Sequence, residues 1–153
     1  MTSTDGERIG PDQLRGKPYV LFFGYTFCPD VCPMTLSVLA ERLDALGPRA
    51  EDLRIVFVTV DPERDTADYL GEYLDWVGPE VIGLRGTAEE TAATARAFRA
   101  TYAKVPLAGG EYLMDHTAAL YLMDANGGFA GKLDYRAAPE VHANALDRLL
   151  RAD

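Results

Sequence analysis

The fold class this sequence predicts is an α/β sandwich with a mostly parallel central sheet, a C-terminal hairpin and flanking helices, and three observations predict it. The first is a pair of short, continuously apolar runs at residues 19–23 and 55–60, which suit central strands covered on both faces. The second is that each run is followed by a stretch with apolar residues at helical spacing. The third is the alternation itself, since strands separated by helices pair in parallel through crossover connections. Such units carry their functional loops at the carboxyl ends of the strands.

Taken in order, Tyr19-Val20-Leu21-Phe22-Phe23-Gly24 is the first core strand, bounded by Lys17-Pro18. Leu36, Leu39, Leu43 and Leu46 then mark a helix that Gly47-Pro48 closes. Residues 53–60 form the second core strand. Asp65 stands at an N-cap position ahead of a helix whose core face is Tyr69, Tyr73, Trp76 and Val77. Residues 81–84 read as a short strand, and Thr87 with Glu90 forms a capping box that opens an Ala-rich helix. Residues 104–115 read as a polar loop around Pro106 and Gly109-Gly110. A hairpin follows, from residues 117–123 and 129–133 about the turn Asn126-Gly127-Gly128. A helix over 139–150 closes the chain, with His142 expected on its solvated side.

The 153 residues suit one domain spanning 1–153, with a core of ordinary size. Neither apolar run approaches the ~20 residues that cross a bilayer. The opening Met1-Thr2-Ser3-Thr4-Asp5-Gly6 reads as the middle of a polar turn, so the chain is expected to be the soluble part of a longer protein. A net charge of −9 and a pI near 4.7 exclude a nucleic-acid partner, which clustered Lys and Arg would attract. That charge serves solubility more readily than a dedicated acidic docking face. Two cysteines cannot build a multi-bridge scaffold, so the fold must stand on its core.

The chemistry is expected in the loop after the first strand, Tyr25-Thr26-Phe27-Cys28-Pro29-Asp30-Val31-Cys32-Pro33. Proline is tolerated at the first helical position, which predicts a helix starting at Pro33. Both cysteines then precede or cap a helix N-terminus, where the dipole and free amides stabilise thiolate, the form that attacks disulfides and binds metals. Three intervening residues allow either a disulfide or a two-sulfur chelate. Two thiolates suit linear Cu(I), and an added imidazole extends such a site to Cu(II). Of the two histidines, His116 is the candidate ligand, because it ends a loop immediately before a core strand. Asp115 and Asp61 are candidates to orient the site from behind the ligands. Asp115 adjoins the imidazole, and Asp61 follows the second core strand, whose loop should lie beside the cysteines.

Three motifs in this order, residues 24–33, Val60-Asp61-Pro62-Glu63-Arg64-Asp65-Thr66 and Asp115-His116-Thr117, closely resemble the Sco/SenC family, over nearly the whole chain. The resemblance implies a thioredoxin-like fold with added elements and a mononuclear copper site, with Cys28, Cys32 and His116 in the ligand roles. It implies a metallochaperone, handling Cu(I) and Cu(II), that helps assemble the binuclear copper centre of cytochrome c oxidase. The partner is then the oxidase's copper-bearing subunit, or another copper donor or acceptor protein. Members of the family face the bacterial periplasm or the mitochondrial intermembrane space, and membrane attachment would run only through an anchor absent from these residues.

Two other functions fit the same residues. A thiol–disulfide oxidoreductase would use Cys28 to attack and Cys32 to resolve, keeping a partner's metal-binding cysteines reduced. A peroxidase ranks last, because the second cysteine is so near and a histidine is available. A metallochaperone is not an enzyme with turnover; the reductase would be.

Overall fold

A computed structural model describes residues 1–27, 31–77 and 81–151, without the side chains at positions 31–33, 77 and 115. In chain order the elements are β1 (Thr2–Ser3), α1 (Pro11–Leu14), β2 (Tyr19–Gly24), α2 (Val31–Leu46), β3 (Arg54–Thr59), α3 (Ala67–Val77), β4 (Ile82–Arg85), α4 (Ala88–Ala97), β5 (Tyr102–Pro106), β6 (Tyr112–His116), β7 (Ala119–Met123), β8 (Phe129–Asp134) and α5 (Pro139–Arg151).

Six strands form the main sheet in the order β1-β4-β3-β2-β7-β8. β3 pairs in parallel with both β2 and β4, and antiparallel ladders flank this centre on either side. The expected parallel core is therefore present, set within a mixed sheet. All six residues of β2 are buried, as a strand covered on both faces requires.

Alternate residues point to opposite faces. Phe22 and Phe57 are register partners on one face, with their rings edge to face at 5.1 Å. Gly83 of β4 is the register partner of Phe57. A Cβ there would stand 2.6 Å from Leu74 Cδ1 and 3.1 Å from Thr4 Cγ2, so glycine lets the leucine side chains of α3 lie directly on the sheet at that point. On the other face Phe23 and Tyr121 meet Phe98 just past α4, at 5.9 and 5.2 Å between rings.

Three expectations need correction. First, the core face of α3 is Leu70 and Leu74, at 0% and 3% exposure, while Trp76 is 86% exposed and Tyr69 is exposed too. Compact leucines fit over Gly83 where rings would not, so the helix is turned one residue from the aromatic stripe; Tyr73 is half-buried at its edge, and the Val77 side chain lies outside the described residues. Secondly, Asp65 does not cap α3. Thr66 does, its hydroxyl accepting from the Tyr69 amide at 3.2 Å. Thirdly, residues 104–115 are no irregular loop but most of a second sheet, β5 paired antiparallel with β6. Its turn glycines, Gly109 and Gly110, take φ near +87° and +86°. Exposed Val105 and Leu113 break the usual strand pattern, which is why the sequence reads as loop.

His142 also differs from expectation, at 1% exposure. Arg42 Nε donates to its Nδ1 at 3.3 Å, and its Nε2 lies 2.8 Å from the Asp134 carbonyl, which can only accept. The ring thereby stitches α5 to α2 and to the end of β8. His142→Ala should lower the unfolding free energy by about 2–4 kcal/mol, since it opens a cavity and strands buried polar groups. Urea denaturation measures this; a change below ~0.5 kcal/mol, as for a solvated helix position, would contradict the buried role.

Candidate metal centre

The site residues expected from sequence divide in two. Cys28, the Cys32 side chain and the Asp115 carboxylate lie outside the described residues, whereas Asp61 and His116 lie within them. The backbone of Cys32 is the second residue of α2, because the helix starts at Val31 and not at Pro33. Proline in the third position costs little there, since first-turn amides have no helical carbonyl to lose. Cys32 therefore belongs to the first turn of α2, where the dipole favours negative charge.

The cysteine loop is braced from beneath by Asp65, which is fully buried. Its carboxyl accepts from the Thr26 amide at 3.1 Å, the Thr26 hydroxyl at 2.5 Å and the Thr59 hydroxyl at 2.5 Å. One side chain thus ties together the loop after β2, the end of β3 and the start of α3. Burial pushes the Asp65 carboxyl above its ordinary value of 3.8, although the Thr26 and Thr59 hydrogen bonds pull the other way.

A second acid faces the hairpin. Asp61, 2% exposed, accepts from the Tyr112 hydroxyl at 2.8 Å and forms a short ion pair with Arg64 Nε. Arg64 Nη1 donates to the Tyr112 carbonyl at 3.0 Å. Its guanidinium carbon lies 3.8 Å from the Tyr112 ring centroid, 4.7 Å from that of Phe27 and 5.7 Å from that of Tyr25. A planar cation is thus held among rings from the cysteine loop and from β6. Burial, reinforced by Asp61, pushes the Tyr112 phenol up to about 12, so it remains a donor at any physiological pH.

This clamp sets the position of His116, the last residue of β6 and the register partner of Tyr102. The base of the hairpin is tied by Thr117 N donating to Thr101 O, and Thr101 N to Thr117 Oγ1, both at 2.9 Å. The imidazole is half-buried and meets the Tyr25 ring edge-on, 5.7 Å between centroids. His116 Nδ1 is 3.1 Å from the Thr117 carbonyl, and a carbonyl only accepts, so Nδ1 carries the proton. In the neutral ring Nε2 is then the nitrogen with the lone pair, as a metal ligand needs.

Among the described residues no three His, Cys, Asp or Glu side chains gather as a metal cage. Sequence reasoning named Asp61 and His116 as candidates and did not name the residues that join them in the structure, Arg64, Tyr112 and Tyr25, or the bracing role of Asp65. The three-residue spacing of Asp61 and Arg64 was a local signal for an ion pair. Tyr112 offered none, being 51 residues from Asp61.

A family model described as SCO1/SenC matches residues 1–151. Protein SenC of Rhodobacter capsulatus is 37% identical over 152 residues, covering 99% of this chain and 69% of that protein. The mitochondrial SCO1 homolog 1 of Arabidopsis thaliana is 42% identical over 120 residues, 78% of this chain but 36% of the relative, so the chain spans about a third of that protein's length. Among solved structures, Bradyrhizobium japonicum ScoI with copper bound superposes with a TM-score of 0.88 at 41% identity, covering 97% of this chain and 94% of that one. The fold is thus the thioredoxin-like one expected.

Two outcomes follow from the geometry. Arg64→Ala should unlatch the hairpin and raise amide exchange across residues 103–105 and 113–115 about tenfold relative to β2 and β3, matching a loss of roughly 1–2 kcal/mol. Arg64→Lys should recover little of it, because an ammonium cannot stack flat and fork at once. For Asp65 the sign follows from its raised native value: the folded protein takes up a proton there before the unfolded chain does. Wild type should therefore gain stability relative to Asp65→Asn as pH falls from that raised value towards 3.8, and level off below it. Urea unfolding of both proteins from pH 6.5 to 3.5 reads this directly, and a difference moving the opposite way would mean the site favours the carboxylate.

Proposed function

This chain belongs to the SCO1/SenC family, and we propose that it is a copper-binding metallochaperone that helps assemble the binuclear copper centre of cytochrome c oxidase. Cys28 and Cys32 hold Cu(I) through two thiolates, and His116 Nε2 completes a three-coordinate site that also accepts Cu(II). The observation that carries this reading is the state of His116. Its Nδ1–H is committed to the Thr117 carbonyl, which leaves Nε2 as the lone-pair nitrogen, on a strand whose end packs against Tyr25 of the cysteine loop. The copper-bound ScoI of B. japonicum, nearly coextensive with this chain, supports it.

In this reading copper is cargo. It leaves by ligand exchange, as thiolates of the acceptor displace His116 first and the cysteines afterwards. The acceptor is the oxidase's copper-bearing subunit, or another copper donor or acceptor protein. The Asp61–Arg64–Tyr112 clamp holds the His116 hairpin to the cysteine loop, so Asp61 acts on the site through the position of its histidine. Asp115, beside His116 in sequence, is the other candidate to orient it. The periplasm or the mitochondrial intermembrane space is the matching compartment, given bacterial and mitochondrial relatives. Among the described residues no helix is long and apolar enough to cross a membrane, so attachment would depend on an anchor elsewhere in the protein.

A second reading, reduction of a partner's disulfide, is favoured by the place of Cys32 in the first turn of α2, where thiolate is stabilised. His116→Ala separates the two. Copper carriage predicts one Cu(II) per wild-type chain, with a thiolate-to-copper charge-transfer band that the variant loses or displaces. Cu(I) binding, satisfied by two thiolates, should fall only modestly, and reduction of a model disulfide should continue near its original rate. Unchanged Cu(II) spectra with collapsed disulfide reduction would make the protein chiefly an oxidoreductase.

A further inference from the structure

Away from the cysteine loop, a groove of ≈ 970 Å³ opens on the face of the sheet that carries α4. We propose that it binds a single long-chain carboxylate, an anionic amphiphile taken as a monomer. The volume lies at the upper end of the range for small-molecule pockets, about 300–1,000 Å³.

The groove has two chemically different ends. Met123 lies opposite Phe129 across the β7–β8 ladder, and together with Ile9 and Leu14 these residues make an apolar end. Phe129 is 65% exposed there, an aromatic surface without cover among the described residues. Two positions along the same ladder Tyr121 lies opposite Lys132. The Tyr121 ring packs on Phe98, and Arg99 follows directly, so Tyr121, Lys132 and Arg99 form a cationic, hydrogen-bonding end.

Three features of that end call for a ligand. Neither Arg99 nor Lys132 has an ion pair among the described residues, in a chain with 24 acidic residues to 15 basic ones. Arg99 is the one non-glycine residue among them with positive φ, at +57°. It closes α4 in a Schellman turn, with Arg99 N donating to Arg96 O and Ala100 N to Ala95 O. Glycine occupies that position without strain, so an arginine there keeps a guanidinium on the groove's rim against a backbone cost. Finally, Tyr19 and Tyr121 line the groove, and their hydroxyls, open to solvent, make no protein hydrogen bond among the described residues, so both can donate to a ligand there.

Charge also sets the orientation. The Asp124 carboxylate acts on Tyr19 at the apolar end and repels an anion there. A carboxylate head therefore lies towards Arg99, Lys132 and the Tyr121 hydroxyl, and its alkyl chain runs towards Met123 and Phe129.

Calorimetric titration with dodecanoate below its micelle concentration, and with 1-dodecanol, tests the site on wild type, Arg99→Gly and Lys132→Gln. Wild type should bind one dodecanoate per chain. Both variants should weaken dodecanoate about five- to tenfold and leave dodecanol unchanged. Arg99→Gly should also raise Tm by about 2–4 °C by relieving the left-handed backbone, so weaker binding there cannot be laid to misfolding. Equal affinities of wild type and both variants for dodecanoate would overturn the proposal. So would no saturable binding, binding to anionic vesicles alone, or a chain that dimerises through the groove instead.

Discussion

Asp65 is a carboxyl with no ion pair among the described residues, enclosed by the fold, and the functional end of the molecule is arranged around it. A charge in that position is costly unless its lone pairs are taken up, and three donors from two segments converge to do so. Those donors, the Thr26 amide and the Thr26 and Thr59 hydroxyls, can meet on one carboxyl only if β2 and β3 end side by side. The parallel register Phe23↔Val58 and Gly24↔Thr59 brings that about. The chain then leaves β2 into the cysteine loop from a fixed point. The backbone of Asp65 is used as well, since Arg85 Nε donates to its carbonyl at 2.9 Å and so draws β4 into the same junction.

From that junction the remaining geometry propagates outward. The Asp61 carboxylate, four residues earlier, points at the hairpin and holds Arg64 and Tyr112, while its amide donates to the same Thr59 hydroxyl that serves Asp65. Arg64 is in turn the piece shared by the loop and the hairpin, stacked on Phe27 from one and Tyr112 from the other. The two acids of one turn thus divide the work. Asp65 positions the cysteine loop, and Asp61, through Arg64, positions the strand that carries His116. The two junctions differ in kind: the loop after β2 meets the end of β3 on a buried carboxyl, while the β5–β6 hairpin is held at the surface by the Asp61–Arg64–Tyr112 clamp and the Lys104–Glu63 ion pair.

The two faces of the sheet are separate in their demands. α2, α3 and α5 cover one face closely enough that Gly83 has no room for a side chain, and His142 is pinned between neighbours. The opposite face has α4 and the short α1 over it, and the β7–β8 end stays open. That asymmetry leaves the apolar groove on the less covered face.

How much of this was legible depended on range. The apolar runs of β2 and β3, the Thr87–Glu90 capping box and the closing helix are local patterns, and each appears where the sequence puts it, because burial of a periodic face and satisfaction of helix-end amides are decided within a few residues. The motif residues Asp61 and His116 were legible for the same reason, as short signatures at strand ends. The rotation of α3 was not: Tyr69, Tyr73 and Trp76 form as good a stripe as Leu70 and Leu74, and only the fit over Gly83 chooses between them. His142 read as a solvated residue because its partners, Arg42 and the Asp134 carbonyl, come from other elements. The β5–β6 hairpin read as loop because its exposed apolar residues face away from any core. By itself, then, the sequence determined the class of fold, its core strands with their crossover helices, and the identity of the candidate ligands. Which acid braces and which acid clamps, and that Phe27 and Tyr112 gather on Arg64, were decided by tertiary structure alone, because hydrogen bonds and ring contacts between residues tens of positions apart have no periodicity to betray them.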